Sequence, residues 1–324
     1  MSETGFLLPE DGPERAVELA TRAEDLGYDS VWVSELWGEH SFVQLTELAH
    51  GTDEVDLGTA IVNVYSRTPA VLAMAVASLS RVAGDRVRLG VGTSTPKAVE
   101  DLHGMGFESP VRRTHEAIEL VEAYTAGEGR VEYEGEVFDV ADFPALDADV
   151  PVYNAALGPA NRRATGRVAD GWLPHNVPFA DLGEAFETVA DAAREAGRDP
   201  EEIRVAPYAP AAVADDAESA RAAVRGHLAY YVGSAEAYER AAARRFPGAA
   251  AEVAEHWRSG DREAARAAVT DAMVEGLSVA GTPAKARDQL ADLLDTNPVD
   301  EAVLVPPVGA DDAVLDRTLE ALAP

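Results

Sequence analysis

Eight apolar, β-branched runs are spaced along the 324 residues with a helix-like block after most of them, and this alternation leaves few folds open. The runs are GFLLP at 5–9, DSVWVSE at 29–35, VDLGTAIVNV at 55–64, VRLGVGTS at 87–94, VPVYNAAL at 150–157, GWLPHNVP at 171–178, IRVAPYAPAAV at 203–213 and EAVLVPPVG at 301–309. Near-continuous apolar strands suit a sheet buried on both faces. The blocks between them carry helix punctuation. Pro13 opens one in which Ala16, Leu19, Ala20, Ala23 and Leu26 keep helical spacing until Gly27 stops it. Thr68 and Pro69 open another that ends at Gly84, and Thr282 with Pro283 repeats the device. Eight β-then-α units most simply close into a parallel (β/α)8 TIM barrel, with a doubly wound open sheet as the runner-up.

Two segments break the rhythm. RVEYEGEVFDV at 130–140 alternates about Glu134 and Gly135 and reads as a hairpin inserted before the fifth strand. Residues 215–281 are rich in alanine and arginine and too long for one crossover helix, so they read as a helical insertion before the last strand. No Gly-, Ser- or Pro-rich linker and no internal repeat divides the chain, and residues 1–324 are expected to form one elaborated domain.

The charge is lopsided: 27 basic against 58 acidic residues give −31, and Lys97 and Lys285 are the only lysines. An apolar content of 47% argues against disorder. A salt-rich cytoplasm explains the balance better, since molar salt screens self-repulsion over roughly 3 Å while carboxylates keep the surface hydrated. The expected source is a halophilic archaeon. Nucleic acid is disfavoured as a partner because no basic face is available to meet phosphates. The absence of cysteine excludes disulfides, thiolate catalysis and Cys-ligated metals. With no signal-peptide pattern and no apolar run of spanning length, the expectation is a soluble, cytoplasmic protein without a membrane partner.

In a parallel barrel, reactive groups collect where the strands end, because the loops there line one open mouth. The stretch LGTAIVNVYSRTPAVLAM at 57–74 turns from apolar strand to polar junction at Asn63–Arg67 and then into helix, which sets those residues on the rim. The other strand ends are also polar or glycine-bearing: Ser34 and Glu35 before Leu36 and Trp37, Gly92 with Thr93 and Ser94, Asn154–Pro159, and His175 with Asn176. AALGPANRR at 155–163 has the features of an anion site at a helix N-terminus, where Gly158 admits close approach and Arg162 or Arg163 is in reach; a plain turn into a helix is the alternative. GVGTST at 90–95 lacks the third glycine of a dinucleotide fingerprint. The seven histidines include no HExxH and no close pair backed by carboxylates, so no metal site is expected. His175 either faces a ligand or packs, His40 is intermediate, and His227 and His256 lie in helical runs as surface or packing residues. Trp37 reads as either a stacking wall or a cap on the core.

The series AEDLGYDSVWVSE, LGTAIVNVYSRTPAVLAMAVASLSRVAGDRVRLGVGTS, YNAALGPANRRATGRVADGW, EAGRDPEEIRV and VAGTPAKARDQL resembles the luciferase-like monooxygenase superfamily, in order, over essentially the whole chain. The segment AIVNVYSRTP is most similar to oxidoreductases using the deazaflavin coenzyme F420, including methylenetetrahydromethanopterin reductase. The resemblance implies a TIM barrel of the bacterial luciferase-like type and a bulge after the third strand with a non-proline cis peptide at Ala60–Ile61, Asn63 beside it, abutting the deazaflavin. It also implies that Gly92, Thr93 and Ser94 line the cofactor and that Ala155, Ala156, Gly158 and Pro159 hold its phosphate-bearing tail. Many F420 members carry an acid followed by histidine after the second strand, where this chain has Glu35 and Leu36; His40 is the substitute. The cationic clamp of the sugar-phosphate dehydrogenases has no counterpart. The implied function is hydride transfer between F420 and a small organic substrate, in a homodimer, with an acid or base drawn from Glu35, His40 or His175. An FMN-dependent monooxygenase is the alternative, and a non-catalytic flavin-binding barrel a second one.

Overall fold

The computed structural model describes residues 2–296 and 298–324. Its strands are β1 (Glu3–Leu7), β2 (Ser30–Val33), β3 (Asp56–Thr59), β4 (Val62–Asn63), β5 (Val87–Gly92), β6 (Arg130–Glu134), β7 (Asp139–Pro144), β8 (Val152–Ala155), β9 (Gly171–Trp172), β10 (Arg204–Val205), β11 (Tyr208–Val213), β12 (Val279–Gly281) and β13 (Glu301–Val305). Apart from β6 and β7, which pair antiparallel as a separate hairpin, the strands form one curled, parallel sheet in the order β10-β9-β8-β5-β3-β2-β1-β13-β11-β12, with β4 also on β5. Helices cover its outer face. Pro69–Ala83 begins where expected, with Thr68 Oγ1 accepting from the Val71 N–H at 3.3 Å, and Gly84 follows in a positive-φ conformation.

Three of the predicted segments, two strands and the helical insertion, are more elaborate than their sequence patterns suggest. The seventh strand is interrupted between Val205 and Tyr208, where Pro207 has no N–H to give the ladder. Between Ala217 and Leu277 five helices share a core of Val224, Leu228, Val253, Met273 and Val274. The segment expected to be helical through residue 281 instead ends in β12, whose three residues lie in register with Ala211, Ala212 and Val213. The third interruption bears on the site.

Strand β3 pairs with β5 at Leu57↔Val87 and Gly58↔Arg88, and β4 resumes at Val62↔Val91. Four steps on one strand therefore match three on the other, which is a β-bulge of one residue. The Ala60–Ile61 peptide within it is cis, as the resemblance implies. Across the gap a side chain replaces the missing ladder: Thr59 Oγ1 accepts from the Gly90 N–H at 2.9 Å and donates to the Gly90 carbonyl at 2.8 Å. A Cβ on residue 90 would sit 2.0 Å from the Thr59 carbonyl oxygen, so only glycine fits there.

The interior of the sheet has two ends of different character. At the strand N-termini Arg88 bonds Glu301 at 2.6 Å and Glu3 at 3.1 Å and also reaches Asp56. Fully buried Glu301 additionally accepts from Ser30 and, at 3.0 Å, from Trp32 Nε1. Above this layer Trp32, Tyr153, Leu173, Tyr208, Val303 and Val305 fill the middle. Replacing Thr59 by valine leaves the buried Gly90 N–H and C=O unpaired at unchanged side-chain volume. The expected loss is about 2 kcal/mol of stability by urea unfolding in molar KCl, with Thr59→Ser close to wild type.

Candidate active site

The strand C-termini bring four groups of residues to one end of the sheet. The bulge forms the first. A Cβ on Gly92 would meet Ile61 Cδ1 at 3.2 Å and the Ala155 methyl at 3.3 Å, so the bulge and the ends of β5 and β8 converge closely at Gly92. Ser94 follows with φ 56°, in the left-handed region, and Thr93 Oγ1 donates to the Ser94 carbonyl at 3.1 Å. Asn63 is committed to its own turn: Oδ1 accepts from the N–H groups of Tyr65 at 3.0 Å and Ser66 at 2.7 Å, and Nδ2 meets His103 Nε2 at 3.1 Å. His103 lies 40 residues away and carries no local signal of this contact.

The second group is the N-terminus of the helix Pro159–Val168. Gly158 is its N-cap, no side chain caps it, and the position of a Gly158 Cβ is open space. Its first N–H groups therefore face outward for an anion. The approach is fixed from below by Trp172 Nε1, which donates to the Ala156 carbonyl at 2.7 Å, and by Asn154 Nδ2, which donates to Thr165 Oγ1 at 3.0 Å. Asn154 Oδ1, fully buried, has no partner among the described residues. One of the two arginines expected near an anion is elsewhere: Arg162 is buried and donates to the Ala185 carbonyl at 2.8 Å. Arg163 is exposed.

The third group joins the second-strand loop to the rim. Arg67 binds Glu35 in a two-pronged pair, 2.5 Å to Oε1 and 2.7 Å to Oε2, with both side chains nearly buried. Glu35 Oε2 also accepts from the N–H and the hydroxyl of Ser41 at 3.0 and 2.9 Å. Burial works to raise the Glu35 pKa, but Arg67 and Ser41 outweigh it and hold the carboxyl below its ordinary range. The same guanidinium reaches His40 Nε2 at 2.7 Å, and because arginine only donates, that nitrogen is an acceptor and the proton sits on Nδ1. Trp37, 68% exposed, does not cap the core.

The fourth group surrounds His175. Its ring lies 5.0 Å from that of Tyr208, 4.3 Å from Tyr231, 5.3 Å from Tyr238 and 6.1 Å from His227. Tyr231, Tyr238 and His227 come from the helices Ala217–Ser234 and Glu236–Ala243, so the inserted helices furnish one wall of the mouth. Burial drives the His175 pKa well below its usual value, with His227 adding to the effect, and burial puts His227 at about 3. Both rings are neutral. His227, taken from its helical run as surface or packing, is fully buried, and the Val308 N–H donates to its Nδ1 at 3.3 Å. The available signal was the aromatic content of AYYVGSAEAYER inside an otherwise alanine-rich insertion. No cluster of metal-binding side chains occurs among the described residues. Nor is any of their helices long and apolar enough to cross a membrane.

A curled parallel sheet with a bulged third strand, a close approach at Gly92 and an uncapped helix N-terminus at Gly158 defines an α/β protein whose strand ends carry an anion-accepting helix start. The chain belongs to the luciferase-like monooxygenase family, whose model matches residues 2–299. It is 32% identical over 306 residues to the 5,10-methylenetetrahydromethanopterin reductase of Methanolobus tindarius, covering 93% of each chain. It is 34% identical over 181 residues, 50% of this chain and 53% of the other, to an F420-dependent glucose-6-phosphate dehydrogenase of Amycolatopsis mediterranei. The structure of the coenzyme F420-dependent tetrahydromethanopterin reductase from Methanopyrus kandleri superimposes with a TM-score of 0.85 at 28% identity, over 99% of this chain and 97% of that one.

Removing Arg67 tests the clamp. In the wild type, the stabilising contribution of Glu35 is present above its unfolded-state pKa and is lost as pH falls through the lowered folded value. In Arg67→Ala only the two Ser41 hydrogen bonds still oppose burial, so the folded pKa moves up and the stability that ionised Glu35 contributes at neutral pH is reduced. The variant should therefore be less stable by about 3 kcal/mol at pH 7, a deficit that shrinks toward pH 4 in denaturation curves recorded across that range.

Proposed function

We propose that this protein is a coenzyme F420-dependent oxidoreductase that transfers hydride between the deazaflavin and a small organic substrate. The observation that carries the reading is that, on a chain matched nearly end to end by an F420-dependent reductase, Ile61, Gly92 and Ala155 converge at the strand ends that lead to the uncapped N-terminus of Pro159–Val168. When bound, the coenzyme supplies the two-electron chemistry. Ala60 and Ile61 would back its ring, with Gly92, Thr93 and Ser94 along the edge. Ala155, Ala156, Gly158 and Pro159 would hold the phosphate-bearing tail, whose charge the helix N-terminus favours. The sheet that carries these groups would close as an eight-stranded barrel through residues 203–213. On one side of that segment the Ala206 N–H bonds the Trp172 carbonyl at 2.9 Å, and on the other the Val303 N–H bonds the Pro207 carbonyl at 3.0 Å.

Of the three acid-base candidates, geometry favours His40. Glu35 is an ionised carboxylate with its lone pairs already engaged by Arg67 and Ser41, which suits it to position Arg67 and His40 rather than to donate a proton. His40 is half exposed with its proton on Nδ1, 4.0 Å from the nearest Glu35 oxygen and beyond hydrogen-bond reach. His175, buried and neutral, would hold the substrate.

Fluorescence titration of the protein in molar KCl with F420 and with FMN decides the cofactor. F420 is expected to bind near micromolar Kd and FMN roughly a hundredfold more weakly. FMN binding in its place would make the protein a flavin monooxygenase, and His40→Asn should lose turnover with F420 affinity intact.

The net charge of −31 supports a halophilic, cytoplasmic setting for this enzyme. A homodimer is the proposed assembly. The helix Pro69–Ala83 contains no acidic residue in a chain that has 58, and its exposed stripe carries Val71, Met74 and Val82. Sedimentation in molar KCl should give a dimer for the wild type and a monomer for Met74→Glu, whose charge would be buried unpaired.

A further inference from the structure

Five side-chain polar atoms at the mouth are buried without a hydrogen-bond partner among the described residues: His175 Nε2, Asn176 Nδ2 and Oδ1, Tyr208 OH and His227 Nε2. Their residues are 6, 2, 8 and 0% exposed, in the order His175, Asn176, Tyr208, His227. More than nine in ten buried polar groups in folded proteins are paired, because leaving one unpaired costs about 1–3 kcal/mol. A group of five on two strand ends and one helix is therefore poorly explained by the demands of folding. It lies where β9 and β13 end and β11 begins, the segment after β13 reaching His227 through the Val308 N–H.

We propose that His175, Asn176, Tyr208 and His227 form a receptor for an uncharged hydrogen-bonding group of the substrate, a carboxamide or ring carbonyl, and that they reject phosphate and carboxylate. As a statement about turnover this rests on the oxidoreductase reading above. The donor set matches such a group. Asn176 offers two donors and an acceptor, the Tyr208 hydroxyl offers either, His227 Nε2 is a donor because its Nδ1 accepts from the Val308 N–H, and His175 Nε2 is donor or acceptor by tautomer. The walls are aromatic, with His175 4.3 Å from Tyr231 and Tyr231 5.3 Å from Tyr238, so a planar group can stack as it bonds. Anions meet no counter-charge there. The imidazoles are neutral, and among the described residues no lysine or arginine is hydrogen-bonded to any of the four. A carboxylate would have to be desolvated unpaired. Asn176 itself has φ 56°, a left-handed conformation that costs a non-glycine residue and here holds the amide within the group.

The test uses benzamide and benzoate, which share a shape and differ in charge, with the F420-loaded protein in molar KCl, by calorimetry. Benzamide should bind at least roughly tenfold more tightly than benzoate. Tyr208→Phe and Asn176→Gly, the latter tolerant of positive φ, should each weaken benzamide several-fold while leaving the unliganded melting temperature unchanged or higher, since each removes unpaired polar atoms from the interior. Equal affinity for the two probes, or no binding of benzamide, would overturn the inference. So would a Tyr208→Phe variant that melts lower with benzamide affinity unchanged, because the hydroxyl would then serve the fold. F420 affinity, followed separately by its own fluorescence, reports on the cofactor reading: its loss would sink that reading, whereas F420 binding without discrimination between the probes would sink only this one.

Discussion

The candidate site depends on one hydroxyl. Thr59 Oγ1 both accepts from and donates to Gly90, and so supplies the two hydrogen bonds that the ladder between β3 and β5 loses where the bulge inserts its extra residue. A backbone N–H and C=O left unpaired in the interior would favour sliding the strand into register, and a slip of one residue moves every side chain to the opposite face. With the stitch in place the bulge is held open, and Ile61 stands over Gly92 and Ala155. The arrangement needs glycine at residue 90, where a side chain would strike the Thr59 carbonyl, and at residue 92 a side chain would crowd Ile61 and Ala155.

The two ends of the sheet divide the work between stability and chemistry. At the N-terminal end Arg88 is ringed by Glu301, Asp56 and Glu3, and Glu301 in turn receives Ser30 and Trp32 Nε1, so that its charge, disfavoured by burial, is met by a counter-ion and by hydrogen bonds. Such a cluster adds little net stability over apolar packing, but breaking it is costly, and it fixes how β1, β2, β3, β5 and β13 align. At the C-terminal end the opposite holds. Asn154, His175, Asn176, Tyr208 and His227 keep unpaired atoms in the interior. A fold can carry polar groups that weaken it where the sheet beneath is otherwise well paired, and those positions are then free to serve a bound molecule.

Much of this was legible in the residues, for physical reasons that also explain the gaps. Apolar runs bounded by glycine and proline marked the strands because a sheet buried on both faces tolerates little else. The Thr68–Pro69 start and the Gly84 stop of one helix could be read because capping is local chemistry. The bulge came from likeness to a family, since no propensity encodes a one-residue slip between strands. The direction of Arg162 was not legible: its reach toward an anion and its reach toward the Ala185 carbonyl are equally compatible with the spacing in AALGPANRR. β12 escaped notice because three residues are too few for a periodic signal, and its partner lies some 68 residues back in the chain at Ala211. His227 was hidden for a related reason. It sits in an alanine-rich helix, while its neighbour in space, His175, belongs to another element.

The net charge and the neutral mouth are two answers to one constraint. In the salt-rich cytoplasm proposed for this chain, fields beyond roughly 3 Å are screened at molar ionic strength, so a cationic rim would gain little by steering an anionic substrate from a distance. Contact interactions in a desolvated interior keep their strength under the same conditions. A protein so placed does best to recognise its ligands with backbone N–H groups at a helix end and with buried, uncharged donors and acceptors. Those are the groups found at Pro159–Val168 and around His175. Arg67, a guanidinium at the rim, is spent on holding Glu35 and His40 in place, a task performed at contact range that screening leaves intact.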